Sequence, residues 1–273
     1  MILTAVAVLA GVGVVGPALN LAILRWVGRR VVVASLLGRA PSWREVAPAP
    51  TRCGRCGGGL ELRVAGELSL LPWALAGGRC RACGAWRAGW AAGVEVAIGA
   101  LYGAAAARFG WSAELPAVLV LLAGLVAVSA VDLAYLRIPT RFIHLTGAAV
   151  AAAIGVAAVA AGPVDALAGA ALGAALYAGF LGAFYLLSPA MLGFGDVRLG
   201  ALIGAVVGWL AWAPDEPVEG PLTAVLRAAF VAGLVGTVAG TVLLVIRRQN
   251  RPFPFGPAMA IGAVFAVLVP AVR

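Results

Sequence analysis

The sequence predicts an all-α polytopic membrane protein with about eight transmembrane helices and one small loop of different character on the cytoplasmic side. Three observations lead there. Of the 273 residues, 63% are hydrophobic and the mean hydropathy is +1.03, well above what a soluble domain carries. The apolar residues fall in runs that approach the roughly 20 residues an α-helix needs to cross about 30 Å of hydrocarbon. The charge is also uneven: all 20 basic residues are arginines, and more than half of them lie between Arg25 and Arg87, opposed only by Glu45, Glu61 and Glu67.

In chain order, spans are expected at 2–24, 91–107, 115–135, 143–161, 166–187, 197–213, 222–246 and 255–271. Met1 to Leu24 lacks a basic n-region and exceeds the usual apolar core of a secretory signal, so it reads as a retained first span. Residues 25–90 then form a cytoplasmic loop, and 91–273 a seven-helix membrane core. Runs such as Gly169-Ala170-Ala171-Leu172-Gly173-Ala174-Ala175 suit helices whose backbones approach closely in lipid. Positive charge beside spans stays in the cytoplasm, which puts the arginine-rich segment inside and the N-terminus outside. The connections holding Arg137 and Arg141, and Arg247, Arg248 and Arg251, then fall inside; those holding Asp165, and Asp215, Glu216 and Glu219, fall outside. The net charge of +9 follows this topology, and no basic strip interleaved with aromatics marks a nucleic-acid surface. Anionic lipid headgroups are the expected contact.

Two carboxylates stand out against this background. Asp132 lies near the end of the third run, and Asp196 in the turn Gly193-Phe194-Gly195-Asp196 that opens the sixth. Acids at the edge of a bilayer core are costly unless paired or functional. The third span runs inward from Leu115 and carries Asp132 roughly 25 Å across at 1.5 Å per residue, while the sixth starts from that same face. The acids therefore arrive at one depth on one side, although Asp196 as a helix cap and Asp132 as a satisfied buried acid are the plainer alternatives. Two close carboxyl groups cannot both ionise easily and share a proton. One can then activate water while the other polarises a peptide carbonyl, and the pair titrates as a unit without assigning base and acid. Gly193 and Gly195 would let the backbone turn tightly and admit an extended substrate.

The four cysteines form a second constellation, Cys53-Gly-Arg-Cys56 and Cys80-Arg-Ala-Cys83. Two such pairs at this separation read as a zinc site. Four thiolates close a tetrahedral shell with no position for water, so the zinc would be structural. Disulfides compete, but a reducing cytoplasm disfavours them, and a short arginine-rich segment has little else to hold it together.

Taken together, these motifs resemble the bacterial prepilin peptidases, type IV prepilin leader peptidases of the G-x-G-D class, over nearly the whole length. Asp132-Leu133 followed by Ile138-Pro139 is similar to the family's first aspartate motif, and Gly193-Phe194-Gly195-Asp196-Val197-Arg198-Leu199 to its second. Pro254-Phe255-Gly256-Pro257-Ala258 resembles the final-span motif, and Leu19-Asn20 with Arg25 the first-span signature. Leu70-Leu71-Pro72-Trp73, the segment Gly78 to Gly84 and then Glu95 match the cytoplasmic loop in order and spacing. Thr140 stands where an acid or amide is usual, Arg198 where lysine is common, and neither Cys53 nor Cys56 precedes the proline often found there.

The resemblance implies an aspartic endopeptidase in the bacterial inner membrane. Its substrates would be prepilins or pseudopilins, cleaved at the cytoplasmic face just before the apolar helix. It also implies S-adenosylmethionine-dependent N-methylation of the new N-terminus, associated with the cysteine loop, although no G-x-G-x-x-G after a strand offers a site for that cofactor. Glu95 is open to a part in this or to a cap or pairing with Arg87 or Arg79. A presenilin-like or signal-peptide-peptidase-like protease shares G-x-G-D, but there the first aspartate normally follows tyrosine, whereas Asp132 follows Val131. An ion-coupled transporter is the alternative from another class, with acids as proton relays, yet no paired broken helices stand out. His144, the single histidine, has no serine or cysteine partner and reads as structural or interfacial.

Overall fold

In the computed structural model, residues 2–23, 79, 83–84, 90–160, 164–188, 192–247 and 253–269 are described. Every long regular element among them is a helix. We number them α1 (Ile2–Ile23), α2 (Trp90–Phe109), α3 (Leu115–Tyr135), α4 (Thr140–Ala160), α5 (Ala166–Leu187), α6 (Phe194–Ala211), α7 (Glu219–Arg247) and α8 (Gly256–Leu268). Seven of these are long and apolar enough to cross a membrane. The exception is α8. Its 13 residues extend about 20 Å, short of the hydrocarbon thickness, where the sequence led us to expect a span over 255–271. The helix stops because Val269 is extended (φ −92°, ψ 116°), the conformation a residue preceding proline prefers, and Pro270 follows in the sequence. The loop expected to bind zinc, with Cys53, Cys56 and Cys80, lies outside the described residues; Cys83 is described and exposed.

The chain divides into two compact units, Met1–Ala104 and Ala105–Arg273. In the first, α1 and α2 meet through glycines. A Cβ on Gly11 would lie 2.9 Å from the Gly99 Cα, and one on Gly16 would overlap the Glu95 side chain. A π-helical stretch, Gly11–Val15, interrupts α1 at this contact, as such bulges do in α-helices. Deeper in the same interface, fully buried Asn20 donates from Nδ2 to Oε1 of fully buried Glu95 at 3.1 Å.

In the second unit, α5 and α6 form the tightest pair. Gly169 and Gly173 on one helix face Gly204 and Gly208 on the other. A Cβ on Gly173 or on Gly204 would overlap the other residue's carbonyl oxygen, so only glycine allows this approach. Four-residue spacing on both helices is the small-residue packing expected in lipid, where backbone proximity replaces hydrophobic burial as the source of cohesion. The helices that carry the two aspartates, α3 and α6, are the most enclosed of this unit, whereas α7 is the least. Phe230, Leu234, Val238 and Val245 project from α7 as a surface that only lipid or another apolar partner would cover.

The end of α3 is fixed by an unusual cap. Leu136 is left-handed (φ 52°, ψ 42°) and its N–H donates to the Asp132 carbonyl oxygen at 2.8 Å. A leucine in this region costs roughly 1–2 kcal/mol. The bond it makes satisfies a carbonyl that the last helical turn leaves without a partner. The chain then turns through Leu136–Pro139 and enters α4 at Thr140.

Candidate active site

Asp132 lies in the last turn of α3 and is 5% exposed. Its Oδ2 accepts a hydrogen bond of 2.8 Å from the backbone N–H of Gly256, the first residue of α8. The start of α8 thus points at the carboxylate, and a helix N-terminus favours negative charge there. Gly256 also has to be a glycine for room, since a Cβ on it would lie 2.9 Å from that same oxygen. Nothing in the sequence signals a contact between residues 124 apart. The nearest hint was the run Pro254-Phe255-Gly256-Pro257, a glycine set between prolines at a helix start.

Asp196 is half-buried in the first turn of α6. The helix begins at Phe194, three residues before the expected boundary at 197, because Asp196 caps its own helix. Oδ2 accepts from the Gly193 N–H at 3.0 Å, and the Asp196 N–H donates to the Gly193 carbonyl at 3.0 Å. Gly193 is extended (φ −79°, ψ 147°), and neither Gly193 nor Gly195 is among the described residues with positive φ. The turn therefore does not use glycine's conformational freedom. What Gly195 supplies is space: a Cβ there would lie 3.1 Å from the Ile138 Cβ. The Ile138-Pro139 segment leans on α6 at this point and ties the two aspartate-bearing motifs together.

The two carboxylates are within electrostatic reach of each other. Among the described residues, the hydrogen bonds to either carboxylate come from the Gly256 and Gly193 amides and engage Oδ2 alone. Each acid is thus held by one oxygen against a backbone N–H at a helix start, and no ion pair to either is formed among the described residues. Close carboxyls in this situation favour a shared proton.

Beside the pair, Arg198 donates from Nη1 to the Thr140 hydroxyl oxygen at 3.3 Å, and its guanidinium sits 4.6 Å over the Phe194 ring. Two of the positions that depart from the prepilin peptidase pattern are therefore bonded to each other, linking α4 to the first turn of α6. An arginine reaches a neutral hydroxyl and an aromatic face at once, through its planar fork of donors. A cleft of about 590 Å3 opens next to Arg198 between α4, α5 and α6, and His144 also lines it. Glu95, left open by the sequence, bonds Asn20 in the first unit. No group of three or more histidine, cysteine, aspartate or glutamate side chains among the described residues is placed to hold a metal.

Residues 119–245 match the type IV leader peptidase family. A prepilin leader peptidase/N-methyltransferase of Stutzerimonas stutzeri is 32% identical over 224 residues, covering 80% of this chain and 71% of that protein. The chain belongs to the type IV leader peptidase family. Another relative in the family carries the same description in Bacillus subtilis (strain 168), at 28% identity over 203 residues, 74% of this chain and 75% of that protein. A type 4 prepilin-like proteins leader peptide-processing enzyme of Escherichia coli O78:H11 is 29% identical over 280 residues, 98% of this chain and 95% of that protein. No solved structure matches the chain significantly. Family membership agrees with the multi-pass architecture of this leader peptidase.

Proposed function

We propose that this leader peptidase is a membrane aspartic endopeptidase that removes the leader of type IV prepilins or pseudopilins and N-methylates the new N-terminus. The observation that carries the reading is two carboxylates from separate helices, within electrostatic reach, each held by a backbone amide at a helix start. A scissile carbonyl beside the pair accepts on its oxygen the proton carried by one carboxyl. The ionised partner takes a proton from water, whose oxygen bonds to the carbonyl carbon. When the tetrahedral adduct breaks its C–N bond, the leaving nitrogen takes a proton back and the pair is regenerated. Asp132 and Asp196 share these roles, with base and acid unassigned. Gly193 keeps a side chain away from the Asp196 carboxylate, Gly195 supports the site by letting Ile138 pack against the start of α6, and Gly256 holds Asp132.

The same reading puts 1–24 as a first span with its start outside, 25–90 as a cytoplasmic loop, 91–273 as the membrane core, and the catalytic pair on the cytoplasmic face of the bacterial inner membrane. The arginine excess of the loop supports that orientation. Cys53, Cys56, Cys80 and Cys83 would hold zinc, since four thiolates in two Cys-x-x-Cys pairs are the donor set of a closed structural site. S-adenosylmethionine, when bound, supplies the methyl group. The testing experiment incubates purified protein with a pilin-type precursor and determines the product's N-terminus and mass. A shortened chain carrying one added methyl is expected. An uncut precursor would overturn the reading, and a cut but unmethylated product would remove its second half.

A further inference from the structure

The first turn of α6 carries Asp196, and a chain of side-chain contacts holds that turn from the opposite face. At about 100° per residue, Phe194 and Arg198 share one face of the helix, and Asp196, two residues from each, lies roughly across from them. Arg198 donates from Nη1 to the hydroxyl oxygen of Thr140, the first residue of α4, at 3.3 Å, and its guanidinium lies 4.6 Å over the Phe194 ring. Phe194 in turn meets Tyr185, in the last turn of α5, with ring centroids 5.4 Å apart and planes inclined at 48°. The start of α6 is thereby tied to the start of α4 and to the end of α5. Elsewhere α4 and α6 touch only sparsely.

The opening turn of a helix is the part least held by the helix's own hydrogen bonds. In α6 the bond from the Gly193 N–H to Asp196 Oδ2 lies within that turn. It fixes the carboxylate relative to Gly193 but does not fix the turn relative to Asp132. Anchorage to the rest of the unit comes from Ile138 against Gly195 and from the Thr140–Arg198–Phe194–Tyr185 chain. Phe194 follows Gly193 directly, so a shift of Phe194 moves the peptide that holds Asp196. A catalytic constellation tolerates only about 0.5 Å of misplacement. Arginine suits the task, because its planar fork reaches a hydroxyl while its face lies on a ring, whereas a lysine ammonium is a point charge.

We infer that Arg198 is a positioning residue for cleavage: through Thr140 on α4 and Phe194 in its own helix, it braces the start of α6 and so sets Asp196 relative to Asp132. Arg198 faces away from Asp196 and does not touch the reacting atoms. The assignment rests on the proteolytic reading above and adds to it the device that keeps one acid in register with the other.

The test measures kcat and KM for a full precursor, with the melting temperature in the same detergent. Arg198→Leu removes both contacts and is expected to lower kcat about tenfold or more while KM stays within about twofold. Thr140→Val keeps the shape, removes the hydroxyl alone and is expected to cost part of the same loss. The two substitutions together are expected to cost no more than Arg198→Leu alone, because both remove one bond. Thr140→Asp combined with Arg198→Lys gives the ammonium a carboxylate to reach, and is expected to recover kcat lost in Arg198→Lys alone. Arg141→Leu removes an exposed charge on α4 that makes neither contact, and is expected to match wild type. A surface change of this kind alters global stability little, so the melting temperature is expected to stay near that of wild type. Unchanged kcat in Arg198→Leu, a raised KM with kcat intact, additive losses in the double variant, or an equal loss in Arg141→Leu would each overturn the assignment. If Arg198→Leu does not fold, Thr140→Val and the lysine–aspartate pair decide the point by the same criteria. Wild-type protein that cuts no precursor would instead remove the proteolytic reading, and this assignment with it.

Discussion

Replacing Gly256 by alanine isolates one hydrogen bond of the aspartate pair. The added Cβ falls 2.9 Å from Asp132 Oδ2, closer than carbon and oxygen tolerate, and the atom it meets is the one that accepts from the Gly256 N–H at 2.8 Å. The carboxylate can relieve the clash only by rotating or withdrawing, and in either case the bond is lost. A hydrogen bond to a charged group contributes about 1.5–3 kcal/mol. At 1.36 kcal/mol per decade of rate, Gly256→Ala should slow cleavage by roughly 10- to 150-fold if the bond is needed in the reactive arrangement. The assay is the initial rate of precursor cleavage by purified protein, with thermal unfolding in the same detergent as a control for global damage. A rate within about twofold of wild type, in a variant that folds normally, would refute the idea that the start of α8 positions Asp132, because a distortion of this size at a catalytic carboxylate costs orders of magnitude.

Asp132→Asn and Asp196→Asn should each reduce cleavage by at least about 100-fold while insertion and stability are retained, since the asparagine carbonyl oxygen can accept the same backbone amide; near-normal turnover by either variant in the precursor assay would remove the shared-proton mechanism. Gly195→Val places a branched side chain where a Cβ already lies 3.1 Å from Ile138, so it should abolish most activity and, unlike the asparagine variants, measurably lower the melting temperature. Metal analysis of the purified chain should give about one zinc per molecule through Cys53, Cys56, Cys80 and Cys83, and Cys53→Ser should lower that content; a metal-free protein with two disulfides would refute it.

Much of the helical frame was legible in the sequence because hydropathy over 20 residues is a property of the segment alone. Arginine placement and span alternation were likewise enough to expect Asp132 and Asp196 at one end of the bundle. Three features were not readable from hydropathy, two because they turn on local backbone geometry and one because it depends on partners far away in the chain. The 13-residue length of α8 turns on where Val269 leaves the helix. The start of α6 at Phe194 depends on Asp196 bonding back to Gly193, a contact that a pattern of apolar residues does not register. The value of Gly195 and Gly256 lies in neighbours at Ile138 and Asp132, so their role is space rather than the conformational freedom that a glycine in a turn first suggests.

The positions of the two acids follow from a common physical constraint. A helix start exposes backbone N–H groups that have no partner within the helix, and in a bilayer such groups need internal acceptors. Asp196 satisfies one at the start of its own helix, α6, and Asp132 satisfies one at the start of a foreign helix, α8. Each bond meets the need of a helix end and holds a carboxylate through one oxygen, leaving the other oxygen for chemistry. Backbone amides neither titrate nor change rotamer, so they hold the carboxylates without adding a formal charge to the site, and the stabilisation they give to ionised oxygens works against the mutual repulsion of the pair. The separation of the acids is then set by helix packing: α6 is fixed by its glycine contacts with α5, α8 meets α3 through the Gly256 bond, and Ile138 lies against Gly195 between them. A site built this way depends on the small residues between helices as much as on the aspartates: a methyl group at Gly173 or Gly204 would push α5 and α6 apart, and one at Gly256 would meet the Asp132 carboxylate itself.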